Sequence, residues 1–322
     1  QCFDLPFPQI IHWNFNHFIV LEGYDRKRVY LNDPAAGTRT VPHDEFDQSF
    51  TGITMTFTPG PQFRKGGHKR SMLAALQRRL ITAASRIDDA PLQLSAAAGA
   101  LYLPQNYDHG YKGAVSVRTA LASSLNVPAV RVGALLGPDA LFDTLAAAGL
   151  KPSETSGYHG HALALGSADV TLLDLANAYR MLANGGRFTP ARWAAASSNN
   201  AASRTVFSPA VAWLVADMLA DPAARATTFG LDSPLVTRGW AAVKTGTSKD
   251  LRDNWCVGFT PRFTVAAWVG NASGAPMQGV SGVSGAAPVW REVLAFLQAD
   301  ATARAPAPPA GLVQSGGEAF LA

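Results

Sequence analysis

Residues 241–269 read AAVKTGTSKDLRDNWCVGFTPRFTVAAWV, and this stretch decides the fold. Three short runs, Ala241–Thr245, Trp255–Phe259 and Phe263–Val269, have the length and the Val, Phe, Trp and Thr content of strands. Thr260-Pro261-Arg262 leaves room only for a tight turn, so the last two runs pair as an antiparallel hairpin. Pro288–Gln298 follows as a closing helix. Upstream, from Leu73 to about residue 222, the texture is Ala- and Leu-rich and helical. Ser116 is placed to cap the helix through Ala120 and Leu121. Thr171 to Leu182 has helical spacing and stops at Asn184-Gly185-Gly186. A sheet covered by helices is an α/β (α+β) layered domain.

Lys244-Thr245-Gly246-Thr247-Ser248 falls at the end of the first of these strands, and Ser124-Leu125-Asn126 lies far upstream beside a helix. A K-T-G triplet alone is weak. Paired with an S-x-N triplet it fits the motif set of serine acyl-transfer enzymes. A lysine on an edge strand offers positive charge to a substrate carboxylate, and the small residues after it let an extended peptide lie alongside. A hydroxyl and amine network moves the proton of an attacking serine. The plainer readings are a helix serine for Ser124 and a solvated strand-end lysine for Lys244.

The surrounding blocks favour the catalytic reading. Tyr102–Asp108 (YLPQNYD), Val117–Val130 (VRTALASSLNVPAV), Leu163–Thr171, Ala183–Gly186 and Lys244–Ser248 with Trp255 together resemble the transpeptidase domain of class A penicillin-binding proteins of the 1C type, over about residues 75–312. The resemblance implies a β-lactamase/transpeptidase-like antiparallel sheet with a helical subdomain. It implies D,D-transpeptidation of peptidoglycan stem peptides through an acyl-enzyme, β-lactam binding, and a periplasmic or cell-envelope location. It assigns Ser124 and Asn126 to the second motif, for proton relay and the substrate amide. Lys244, Thr245, Gly246, Thr247 and Ser248 then hold the carboxylate and line the acyl site.

One departure outweighs the match. The family's nucleophile sits in S-x-x-K, yet no serine in these 322 residues has Lys three positions later. Ser71 is followed by Met72-Leu73-Ala74, which puts alanine at the base position. Losing a covalent nucleophile costs many orders of magnitude in rate, so an impaired enzyme is expected. The alternatives are a non-catalytic stem-peptide-binding protein, the remnant of a peptidase, or no surviving function.

The N-terminal residues read differently. His17–Leu21 and Val29–Leu31 flank Glu22–Lys27 as a hairpin, Asp44–Asp47 reads as a short helix, and a strand follows through Ile53 to Phe57. His17 and Asp33 belong to the two hairpin strands, an arrangement in which an acid can orient an imidazole. His12–Phe18 and Val29–Ala35 resemble the bacteriocin-processing cysteine peptidases that cut double-glycine leaders, over about residues 8–67. The resemblance makes His17 the general base and Asp33 its orienter in half of a papain-like domain. The nucleophile is again missing, since Cys2 lies only 15 residues before His17 and lacks the family's surrounding motif. The expected domains are 1–67, a peptidase fragment; 68–304, the transpeptidase-like domain; and 305–322, a Pro-rich linker and tail. The junction between Gly66 and Leu76 reads as a fusion, a deletion or an assembly error.

Composition narrows the classes further. Apolar residues are 48% and charged residues 16%, which excludes a disordered polyelectrolyte. No apolar run reaches the roughly 18 residues of a membrane span. The start, Gln1-Cys2-Phe3-Asp4, has neither Met nor signal-peptide features, and reads as a fragment, a processed product or an incomplete gene model. The net charge is +4. The basic run Arg64, Lys65, Lys69, Arg70, Arg78, Arg79 has no interleaved aromatics, so nucleic acid is not an expected partner. Cys2 and Cys256 make neither a disulfide framework nor a zinc site, His159 and His161 read as loop histidines, and no cofactor is called for. Oligomeric state stays open.

Overall fold

The computed structural model describes residues 3, 5, 7–14, 17–33, 37–56, 72–77, 79–95, 101–192 and 203–322, with backbone alone at 17, 37, 38 and 72–74. The chain divides into two units, Gln1–His68 with Gln93–Leu103, and Lys69–Leu92 with Pro104–Ala322.

The first unit is an antiparallel sheet of β1 (Gln9–Trp13), β2 (His17–Tyr24), β3 (Arg28–Asp33), β4 (Gly37–Pro42) and β5 (Phe50–Thr56), in the order β4-β3-β2-β1-β5. Helix α1 (His43–Ser49) joins the last two strands. Two-residue periodicity sends Ile11, Trp13, Ile19, Leu21, Val29 and Leu31 to one face, where Phe46 of α1 completes a core. Phe18, Tyr30, Ile53 and Met55 stay exposed. The β2–β3 turn is closed by Asp25, whose carboxylate accepts the N–H groups of Lys27 and Arg28 at 2.7 and 2.9 Å. The expected hairpin is therefore present, with its turn confined to Asp25–Lys27. The basic stretch, Ser71, Cys2 and the proposed junction lie wholly or largely outside the described residues.

The second unit begins with α2 (Met72–Gln77) and β6 (Arg86–Asp89). In the first unit a short pair, β7 (Leu94–Ser95) with β8 (Leu101–Tyr102), interrupts the sequence. Strand β9 (Gly113–Ser116) then pairs with β6. Helices α3 (Val117–Ala122), α4 (Asn126–Leu136), α5 (Pro138–Ala147), α6 (Ser156–His159) and α7 (Leu172–Ala183) follow. Ser116 caps α3 and Thr171 caps α7, each accepting a backbone N–H of the first turn. After the pair β10 (Arg187–Phe188) and β11 (Arg204–Thr205) come α8 (Pro209–Ala220) and α9 (Pro222–Phe229).

The sheet read from residues 241–269 is β12 (Ala242–Thr247), β13 (Asp253–Phe259) and β14 (Thr264–Gly270), all antiparallel with β12 outermost. Alternation divides its side chains between two cores. Ala242 and Phe259 join Met181, Val211, Val215 and Met218 of α7 and α8. Val243, Cys256, Val265 and Ala267 pack on Trp290 and Leu294 of α10 (Ala287–Leu297). Gly258 is required here, because a Cβ would stand 2.6 Å from both the Ala242 carbonyl oxygen and the Trp290 ring. The K-T-G residues lie inside β12 rather than after it, since pairing with β13 runs on to Thr247↔Asn254.

The C-terminal tail, residues 305–322, packs against the helices of the second unit. The Trp213 indole N–H donates to the Pro306 carbonyl at 2.9 Å. Strands β15 (Leu312–Ser315) and β16 (Glu318–Leu321) then form a hairpin with Ala319 buried. Apolar and ionic contacts dock this segment on α3 and α8.

Candidate functional site

The site grows from the end of α3. The N–H of Leu125 donates to the Ala120 carbonyl at 3.0 Å and that of Ser124 to the Leu121 carbonyl at 3.2 Å. This is the Schellman pattern, which needs a left-handed residue at the position Ser124 occupies. Glycine is usual there; Ser124 adopts φ +57° instead. A non-glycine residue in that region is strained and persists only where its surroundings over-determine it. Its neighbour Ser123 is fully buried and donates its Oγ hydrogen to the Ala224 carbonyl of α9 at 2.7 Å.

Held this way, the Ser124 hydroxyl meets the lysine of β12. Lys244 Nζ donates to Ser124 Oγ at 2.6 Å and to the Thr245 carbonyl at 2.7 Å. Burial pulls the Lys244 amine down to about 8, against the opposing pull of the nearby Cys256 thiol. Cys256 lies opposite Thr245 on β13, and burial pushes its thiol up. An amine poised near neutrality beside a hydroxyl can serve as a cation for a carboxylate or exchange a proton with the hydroxyl.

Asn126 opens α4. Its Nδ2 donates to the Gln105 carbonyl at 2.8 Å. Its backbone N–H and that of Val127 both donate to Asn106 Oδ1, at 2.9 and 3.2 Å. Asn106 Nδ2 in turn faces both oxygens of the fully buried Asp89, at 2.9 Å each. Asp89 also accepts the Lys112 N–H at 2.8 Å. Neither role was read from the sequence, although Asn106 lies within the quoted YLPQNYD block.

The other expected residues divide. Gly246 sits opposite Trp255, and Thr245 opposite Cys256. Thr247 Oγ1 accepts the Gly282 N–H at 3.0 Å, which ties it to the segment before α10. The Ser248 hydroxyl donates to the Asp253 carboxylate at 3.1 Å and accepts the Asp253 N–H at 2.8 Å. In the first unit, Asp33 is buried at the end of β3. His17 opens β2 opposite Trp13, and its side chain lies outside the described residues. His159 shares a 3.1 Å hydrogen bond with Ser167. Among the described residues no three His, Cys, Asp or Glu side chains form a metal-holding group. No helix among them is long and apolar enough to cross a membrane.

Arg118, the second residue of α3, is caged by acids. It contacts Asp217 at 2.7 Å, Asp221 at 3.3 Å and Glu318 of the C-terminal hairpin at 2.7 Å. Asp221 also caps α9 by accepting the Ala224 N–H at 2.9 Å. Glu318, Arg118, Asp221, α9 and Ser123 thus form a continuous polar path to the residue before Ser124.

A short antiparallel sheet between helical layers, with an outer-strand lysine on the serine of a helix-end turn, defines a transpeptidase-like protein. The penicillin binding protein transpeptidase domain model matches residues 70–295, and the chain belongs to that family. The Peptidase C39 family model matches residues 1–62, so the N-terminal β-rich region carries a cysteine-peptidase-like segment. Penicillin-binding protein 1A of Neisseria cinerea is 31% identical over 264 residues, covering 77% of this chain and 33% of the relative. Penicillin-binding protein 1C of Escherichia coli K12 is 33% identical over 220 residues, covering 68% and 27%. The chain thus spans a third or less of these relatives. Among solved structures, penicillin-binding protein 1A of Haemophilus influenzae superposes with a TM-score of 0.64 at 23% identity, over 75% of this chain and 45% of that one. PonA1 of Mycobacterium tuberculosis, solved in complex with penicillin V, gives 0.61 at 21% identity, over 92% and 83%. At these identities the superpositions establish the shared fold.

Proposed function

We propose that residues 68–304 recognise peptidoglycan stem peptides in the manner of a D,D-transpeptidase, without forming its acyl-enzyme. The carrying observation is the 2.6 Å contact between Lys244 Nζ and Ser124 Oγ, which joins the second and third family motifs. In this reading the protonated amine takes the terminal carboxylate of the peptide, and the peptide lies along β12. Thr245, Gly246, Thr247 and Ser248 shape that edge, while Ser124 and Asn126 stand at the substrate amide. Turnover needs a serine to attack the penultimate carbonyl and expel the terminal amino acid. The absence of any S-x-x-K supports an impaired reaction. The reading places the domain at the cell envelope, residues 1–67 as a peptidase remnant and residues 305–322 as a docked tail. His17 with Asp33 would be the surviving base and orienter of that remnant.

The test is incubation of the full chain with fluorescent penicillin, followed by intact mass. The expected result is no stoichiometric adduct, with saturable reversible binding of a D,D-dipeptide-terminated stem peptide. A serine adduct would overturn the impaired reading, and absence of peptide binding would overturn recognition itself.

A further inference from the structure

Helix α4 lacks a cap of its own. Leu125 occupies the cap position and offers no side-chain acceptor. The third helical residue is Pro128, which has no N–H, and Ala129 already donates to the Leu125 carbonyl at 3.4 Å. Two orphan donors remain, Asn126 N–H and Val127 N–H, and both converge on the single oxygen Asn106 Oδ1. The orientation of that amide follows from chemistry. Its oxygen must face the two N–H donors, and its nitrogen must face the Asp89 carboxylate and the Gly110 carbonyl at 2.8 Å. Asp89 is 0% and Asn106 4% exposed, so neither trades partners with water.

We propose that Asn106, oriented by Asp89, is the positioning residue of the Ser124–Asn126 turn: it caps α4 from outside and fixes where the strained serine stands relative to Lys244. The Schellman bonds hold the turn from the α3 side, and Asn106 holds it from the α4 side. A left-handed serine needs both anchors, because removing either lets it relax toward ordinary backbone. The assignment deepens the proposed recognition function and rests on it for its consequence in binding.

Reversing the pair tests it. Asn106→Asp keeps an oxygen for the two N–H donors but sets a second carboxylate against Asp89. Adding Asp89→Asn restores one donor amide and one carboxylate in swapped order. On the full chain, the Lys244 amine is titrated by heteronuclear NMR, with Lys244→Met identifying its signal. The expected result is a titration near 8 in the parent protein, moved toward the ordinary lysine value, roughly 10.4, in Asn106→Asp. The double variant brings it back, and stem-peptide affinity follows the same order with a loss of about tenfold. An unmoved amine in folded Asn106→Asp overturns the proposal. If that variant does not fold, Asp89→Asn alone decides the question: it keeps an acceptor for Asn106, and a smaller shift of the same sign is expected, whereas no shift overturns the proposal. Failure of the parent protein to bind peptide would sink the recognition reading, while the amine titration would still decide the role of Asn106.

Discussion

Lys244 carries the electrostatics of the site. Its amine is depressed in the fold, so between about 8 and the ordinary lysine value the unfolded chain binds more protons than the folded one. Burial of this group therefore penalises the fold fully below pH 8, and the penalty disappears as pH rises to roughly 10.4. Comparing denaturant midpoints of the parent protein and Lys244→Met across that window should show the parent gaining relative stability with pH. Peptide affinity should run the other way. Under the proposed contact between the peptide carboxylate and the protonated amine, affinity should fall about tenfold per pH unit above the amine's midpoint; a flat profile would remove Lys244 from the binding role. The sequence offered Lys244, Ser124 and Asn126 as candidates, because they fall in a recognisable motif set. It did not carry the left-handed backbone of Ser124, since no Gly or Asn marks that position. Nor did it carry the jobs of Asn106 and Asp89, which depend on partners about 20 residues away.

Short elements in this unit are held by side chains from elsewhere. Helix α3 spans six residues, too few to stand by propensity alone. Arg118 supplies the missing support by joining it to α8, Asp221 and β16. Losing Glu318 leaves two acidic partners, so Glu318→Ala should cost about 1–2 kcal/mol in chemical denaturation. Arg118→Ala leaves three carboxylates facing one another and should cost more, roughly 3–5 kcal/mol. Equal costs would show that Glu318 is the only partner that matters. The docked tail was not legible in the sequence for the same reason. Proline content describes local stiffness, whereas the groups that pin the tail, Arg118 and Trp213, sit some 90 to 200 residues earlier.

Across the whole chain, the legible features were those with local periodicity. The three-strand sheet, the α7 helix with its Gly stop, and the N-terminal hairpin all follow from two- or 3.6-residue spacing. Strand limits shifted by one to three residues because cross-strand pairing, rather than composition, ends a strand. The open face of the first sheet, with Phe18, Tyr30, Ile53 and Met55, shows an apolar surface that alternation alone leaves uncovered.

Cys256 gives the molecule a built-in stopwatch. It is a free thiol with no exposed surface, at the middle of the central strand β13 and directly behind the β12 residues that carry the site. An alkylating reagent can reach it only when that sheet parts, so the labelling rate reports how often the site's foundation opens. With Cys2 replaced by serine, a single mass increment should appear orders of magnitude more slowly than for a solvent-exposed thiol. It should slow further when stem peptide occupies β12, which would turn an invisible fluctuation into a count of modified molecules.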